Sequence, residues 1–134
     1  MSGTYDHGLN EIAQGNVALG TDSLLMVAVD AGYTVDLSAH QNLDDIPSAA
    51  RIATVNLSGE SFPDSDGALD VADPTFTSVT GDDITQVVVC KDTGDEATST
   101  LLWHYDSSAD FPITPNGGDI SVTIPVANPY LAKI

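Results

Sequence analysis

A chain of 134 residues carrying 20 acidic side chains against only Arg51, Lys91 and Lys133, for a net charge of -17, repels phosphate backbones and anionic headgroups, which excludes nucleic acid and membrane surfaces as partners. The length fits one domain, 1–134, able to bury roughly two thirds of the surface its unfolded form exposes, and the single cysteine, Cys90, allows no intrachain disulfide, so the fold rests on packing and hydrogen bonds. The start, MSGTYDHGLNEIAQGN, lacks the basic and apolar regions of a signal peptide, and no run approaches the ~20 apolar residues of a membrane span, so a soluble protein made in a reducing cytoplasm is expected.

Apolar residues come in short runs parted by Gly, Pro, Asp, Asn and Ser, the pattern of many short strands rather than of amphipathic helices. GLNEIAQ (8–14) reads as a helical turn within a candidate extended arm, 1–20. SLLMVAVD (23–30) is continuous enough for a strand covered on both faces. NLDDIPSAA (42–50) reads as a second helical turn that Pro47 caps or stops. RIATVNL (51–57) alternates, with Ala53, Val55 and Leu57 on one side and Ile52, Thr54 and Asn56 on an outward side. ALDVA (68–72) and PTFTSV (74–79) are short strands, Pro74 marking an edge or a start. QVVVCK (86–91) and TLLWHYD (100–106) are richest in β-branched and aromatic residues, and DISVTIP (119–125) alternates through Ile120, Val122 and Ile124. YLAKI closes the sheet or belongs to a second arm, 125–134. Seven to eight strands with turn signals about every ten residues predict an all-β protein, a single compact antiparallel β-sandwich, jelly-roll or immunoglobulin-like, with one or two short helical turns.

Between two of these strands lies KDTGDEATST. Gly94 supplies the positive φ of a tight reversal, and Asp92 and Asp95 bond neighbouring amides, so the patch reads as a hairpin connection long enough to project and touch a partner. Alternation places Cys90 on the face of Val88 as a buried, inert thiol, with Lys91 on the opposite face. It also groups Trp103 with Leu101 and Tyr105 and turns His104 away, giving either core packing or an aromatic strip suited to carbohydrate stacking. His7, His40 and His104 lack metal-ligand spacing. The D-x-D-G-x-x-D run around Gly67 offers Asp64, Asp66 and Asp70 as a candidate calcium loop, set against an acidic, solvated turn, and it lacks the EF-hand pattern. No phosphate loop, nucleophile elbow or paired catalytic carboxylate is present, so neither an enzyme nor a cofactor is expected. The acidity comes mostly from 17 aspartates, which suit turns and solubility.

Four segments carry a family resemblance: Ile46 to Arg51 as "IP-x-x-x-R", Thr75 to Asp82 as "x-F-T-S-V-T-G-D", Val87 to Leu101 ending "K-D-T-G-D-x-A-T-S-x-L", and Pro112 to Val122 as "P-x-T-P-N-G-G-D-I-x-V". In these the chain resembles small virion-associated structural proteins of tailed bacteriophages, over about two thirds of its length; it departs at NLDDIP and at its end, PVANPYLAKI. The resemblance implies a phage structural protein; joined to a compact β-rich domain without enzyme motifs and an acidity that suits an external surface, it leads to the expectation of a capsid decoration, or cement, protein on the outer capsid surface of the virion, with the major capsid protein as partner and a homotrimer at local threefold positions. Contact candidates are Lys91, Asp92, Asp95, Trp103, Tyr105 and Tyr130. The alternatives are a receptor- or glycan-binding module of a tail or head fibre and a tail or head-completion subunit.

Overall fold

The structure is a computed structural model that describes residues 3–19, 21–60, 68–69, 71–106, 111–122 and 132–133. The long apolar runs form the strands β2 (Leu24–Val29), β6 (Gln86–Lys91) and β7 (Leu101–Tyr105), and the alternating run forms β3 (Arg51–Asn56). With the two-residue β1 (Gly3–Thr4) they make one antiparallel sheet in the order β1-β7-β6-β2-β3. Four two-residue strands pair off separately, β4 (Ala68–Leu69) with β9 (Ala132–Lys133) and β5 (Thr75–Phe76) with β8 (Ile120–Ser121). The fold is all-β and antiparallel, as the turn spacing predicts, and is compatible with a sandwich of one large sheet and smaller pairs. Nine strands are present among the described residues, against seven to eight expected; β1 is the extra one, too short to leave a periodicity.

Successive residues of β2 and β6 alternate between two apolar clusters, so both faces of the sheet are covered. Leu24, Met26, Ala28, Val87 and Val89 pack with Phe76, Val79 and Ile84, which arrive from β5 and the chain that follows it. Val27, Val29, Val88 and Cys90 pack with Tyr5, Tyr33, Leu43 and Ile46. Two-sided burial explains why these strands are unbroken apolar runs, each Val or Leu contributing about 1.5–3 kcal/mol before the cost of ordering it.

Two bulges break the expected alternation. Ala28 faces Ala53 but Val29 faces Arg51, leaving Ile52 as the extra residue of β3, so Ile52 turns to the same cluster as Ala53 and Val55 instead of outward. Likewise Val89 faces Trp103 and Cys90 faces Leu101, which makes Leu102 extra in β7. Leu101 therefore lies on the face of Cys90, opposite to Trp103 and Tyr105, and not beside them as regular alternation predicts.

The segment 1–20 is not an extended arm where it is described. Gly3 and Thr4 pair with His104 and Trp103, Tyr5 is wholly buried, and helix α1 (Asp6–Ala13) lies on β7 with Gly8 at the closest approach. Asp6 favours the positive N-terminal end of the helix. Gly15, at φ +81°, ends the run, the amides of Gly15 and Asn16 donating back to the Ile12 and Glu11 carbonyls. Of the second expected arm, Ala132 and Lys133 pair with Leu69 and Ala68, as a closing strand; the rest of 125–134, Lys133 and its neighbour apart, lies outside the described residues. Pro47 separates two 3-10 turns, Leu43–Asp45 and Ser48–Ala50, as its fixed φ and missing N–H require.

Candidate contact surface

The connection between β6 and β7 is held by turn chemistry throughout. Gly94 sits at φ +82° and donates to Asp92 Oδ1 at 3.0 Å, and Ala97 donates to Asp95 Oδ1 at 3.0 Å. Ser99 Oγ donates to the Asp95 carbonyl at 2.8 Å, and the Thr93 and Thr98 hydroxyls meet at 2.6 Å. The remaining oxygen of Asp92 accepts from Asn56 Nδ2 at 2.8 Å, tying the loop to β3. Asp92 and Asp95, predicted as contacts, thus spend their carboxylates on the loop's shape and on its tie to β3; what projects is an exposed, internally hydrogen-bonded ridge from Thr93 to Thr98. Lys91 is half-buried on the side away from Cys90, donating to the Asn16 carbonyl at 2.9 Å and pairing with Asp22 at 3.4 Å. The Ala18 amide and then Lys91 hold the Asp22 carboxyl below its usual range.

Arg51, the last residue of the "IP-x-x-x-R" segment, joins this ridge to the 3-10 turns. Its guanidinium donates to the Ile46 carbonyl at 2.6 and 3.0 Å and to the Leu43 carbonyl at 3.2 Å, and meets Glu96 at 2.8 Å. The carbonyl bonds dominate, because they are largely sheltered while Glu96 is exposed and its pairing is screened by water. Arg51→Ala is expected to cost about 2 kcal/mol and Glu96→Gln less than about 1 kcal/mol, read as urea midpoints; equal costs would overturn that ranking. Arg51→Lys should recover only part, since an ammonium cannot fork between carbonyls.

The aromatic candidates are placed differently. Trp103, expected as a contact or as core, is only 3% exposed and packs with Leu102, Val89 and their neighbours, so it is core and presents no stacking face. Tyr105 is half-buried against the same cluster, and burial raises its hydroxyl above the usual range. Tyr130, Asp64, Asp66 and Asp70 lie outside the described residues. Among the described residues no three His, Cys, Asp or Glu side chains converge as a metal site, and no helix is long and apolar enough to cross a membrane.

On the face of Cys90 the sheet carries a polar network, buried except at the half-buried His40, that the sequence did not announce. Tyr5 Oη meets Tyr33 Oη at 2.9 Å, and Tyr33 Oη meets His40 Nδ1 at 2.8 Å. Gln86 Nε2 donates to the Asp30 and Tyr33 carbonyls at 2.7 and 2.9 Å, leaving Gln86 Oε1 to accept from His104 Nε2 at 2.6 Å. Partners 28 and 18 residues apart leave no spacing motif to read. Each group is satisfied, as burial demands, and no side-chain nitrogen or oxygen buried among the described residues lacks a partner.

Burial pushes the Cys90 thiol up to about 12, with Asp92 adding to the effect, and also raises the Tyr5 and Tyr33 hydroxyls. Such groups stay protonated in the folded chain while the unfolded chain starts to lose these protons near pH 8.5 for a thiol and 10 for a phenol. Their stabilising effect is therefore complete below about pH 8.5 and is lost as pH rises toward the folded values. The urea midpoint should fall between pH 8 and pH 10.5, and Cys90 should react with a disulfide reagent only on unfolding; a level midpoint with prompt native labelling would contradict both.

No protein-family model matches the chain, and no curated protein matches it. The structure joins the four segments quoted from the sequence in pairs: Ile46 to Arg51 through Arg51 and Glu96 to the β6–β7 loop, and Thr75 to Asp82 through β5 and β8 to Pro112 to Val122. In the second pair the Val79 and Gly117 amides donate to the Gly118 and Val79 carbonyls.

Proposed function

We propose that this protein is a capsid decoration, or cement, protein of a tailed bacteriophage, a homotrimer that binds the outside of the major capsid lattice and stabilises the head. The observation that carries the reading is the distribution of charge. The net charge is -17, and both cationic side chains described in full, Arg51 and Lys91, are taken up by internal partners. Such a surface repels packaged DNA and suits the outer side of a shell. The phage resemblance supports the same reading, and the internally hydrogen-bonded 93–98 ridge supplies a preformed contact that loses little entropy on docking.

Gold-labelled antibody against the protein, imaged on purified particles by electron microscopy, tests it. Gold spread over heads is expected. Gold confined to tail tips or head-fibre ends would replace the reading with a receptor-binding one, and gold at the head–tail junction with a completion subunit.

A further inference from the structure

The hydrogen-bond chain from Tyr5 to His40 has a direction, and one contact fixes it. The Asp36 amide donates to His40 Nδ1 at 3.2 Å, and an amide N–H can only donate, so Nδ1 carries no proton. Tyr33 Oη, 2.8 Å from the same nitrogen, must then donate to it as well, and Tyr5 Oη must donate to Tyr33. Every proton in the chain therefore points toward His40. The loop that carries Tyr33 and His40 also clasps the N-terminal segment: the Asp6 amide donates to the Leu37 carbonyl at 2.9 Å, and Leu37 lies against Gly3, where a Cβ would come within 2.7 Å of its Cδ1.

We propose that His40 is a pH-operated latch on the loop 33–40 and, through it, on the N-terminal segment. Protonation at Nδ1 turns an acceptor into a donor. The Asp36 amide then faces an N–H and must leave, and Tyr33 Oη, with two lone pairs, accepts from His40 while it still accepts from Tyr5, so that its own proton loses its acceptor. That proton sits on a hydroxyl held beside the wholly buried Tyr5, with Tyr33 itself only 5% exposed. The exposed Asp36 amide turns to water, whereas the buried Tyr33 hydroxyl is left without an acceptor, and the loop relieves that strain by loosening from Tyr5 and Asp6.

The groups around His40 act in both directions. Asp45, on the first 3-10 turn, is a carboxylate that attracts the added proton, while the carboxylate of Asp36, on the loop of His40 itself, accepts from the Ser38 and Ala39 amides. The Asp36 amide and the Tyr33 hydroxyl oppose it, the Tyr33 ring lies 5.3 Å from the imidazole, and beyond Tyr33 stand Tyr5 and the ring of His104 at 6.4 Å. Backbone amides of Gln41 and Asn42 hold Asp45 below the usual carboxylate range, so it stays charged at pH 5 and does not confound the histidine. The latch does not depend on the capsid reading, because it is internal to the chain.

Hydrogen-exchange protection factors at the Asp6 and Asp36 amides, measured by NMR at pH 7.5 and pH 5 alongside the His40 ring nitrogens, test the latch. Protection should fall at least tenfold at both amides as His40 Nδ1 acquires its proton. His40→Gln, whose amide oxygen accepts from both donors at either pH, should abolish the fall. Unchanged protection in the native protein while His40 titrates would overturn the proposal, as would an equal fall in H40Q, which would point to His104 or His7 instead. Should H40Q not fold, the nitrogen shifts of the native protein still decide: a proton on Nδ1 at pH 7.5 excludes the latch.

Discussion

Gly8→Ala is expected to destabilise the protein by about 3 kcal/mol, lowering Tm by roughly 10 °C for a chain of this size. Helix propensity alone argues the other way, since alanine inside α1 would gain about 1 kcal/mol over glycine. The packing decides. A Cβ at Gly8 would run into the Leu101 carbonyl oxygen and would lie 3.1 Å from Leu102 Cα. Both belong to the backbone of β7, which is held between β1 and β6 and cannot yield as a flexible side chain would. Either α1 lifts off the sheet, exposing what lies beneath, or β7 shifts its pairing with β6. Gly15→Ala is the control: open space surrounds Gly15, and only its φ of +81° resists a side chain, at about 1 kcal/mol. Thermal unfolding of both variants checks the ranking, and a neutral or stabilising Gly8→Ala would mean that the helix does not approach β7 so closely.

That close approach illustrates where the sequence is readable and where it is not. The strands β2, β6 and β7 were legible because burial leaves its mark along the whole run, β3 because apolar and polar residues alternate in it, and the β6–β7 turn because glycine and aspartate act within a few positions. Pro47 announced the break between the 3-10 turns for a similar local reason. The bulges at Ile52 and Leu102 were not legible: one extra residue changes the facing of its neighbours without changing composition. Gly8 resembles any glycine in a polar segment, and its role appears only once β7 is beside it. The Tyr5–Tyr33–His40 chain is hidden for the same reason, since its members meet through the sheet rather than through spacing. Arg51 was noticed as part of a motif, yet its work, fastening the turns 43–50 by their carbonyls, required the fold to be seen.

Trp103→Ala should produce the largest loss of stability, about 3–5 kcal/mol, and it separates two readings of the aromatic strand. The indole fills the space between Leu102, Val89 and the residues of β5 and its following chain, and its backbone pairs with Thr4 on one side and Val89 on the other. Removing it leaves a cavity under a strand that carries β1 and α1, so the site cannot collapse without disturbing both. Trp103→Phe keeps most of the apolar volume and should cost markedly less. As the chain's single tryptophan, it should also emit at shorter wavelength in the native protein than in urea and be shielded from a soluble quencher. A carbohydrate-stacking role requires the opposite set of results: an exposed, readily quenched indole, little stability lost in the alanine variant, and binding lost instead. The burial of Trp103 makes the first set the expected one, because an indole enclosed by the core cannot offer a face to a sugar, whereas the exposed side chains beside β7 lie on the polar ridge at 93–98.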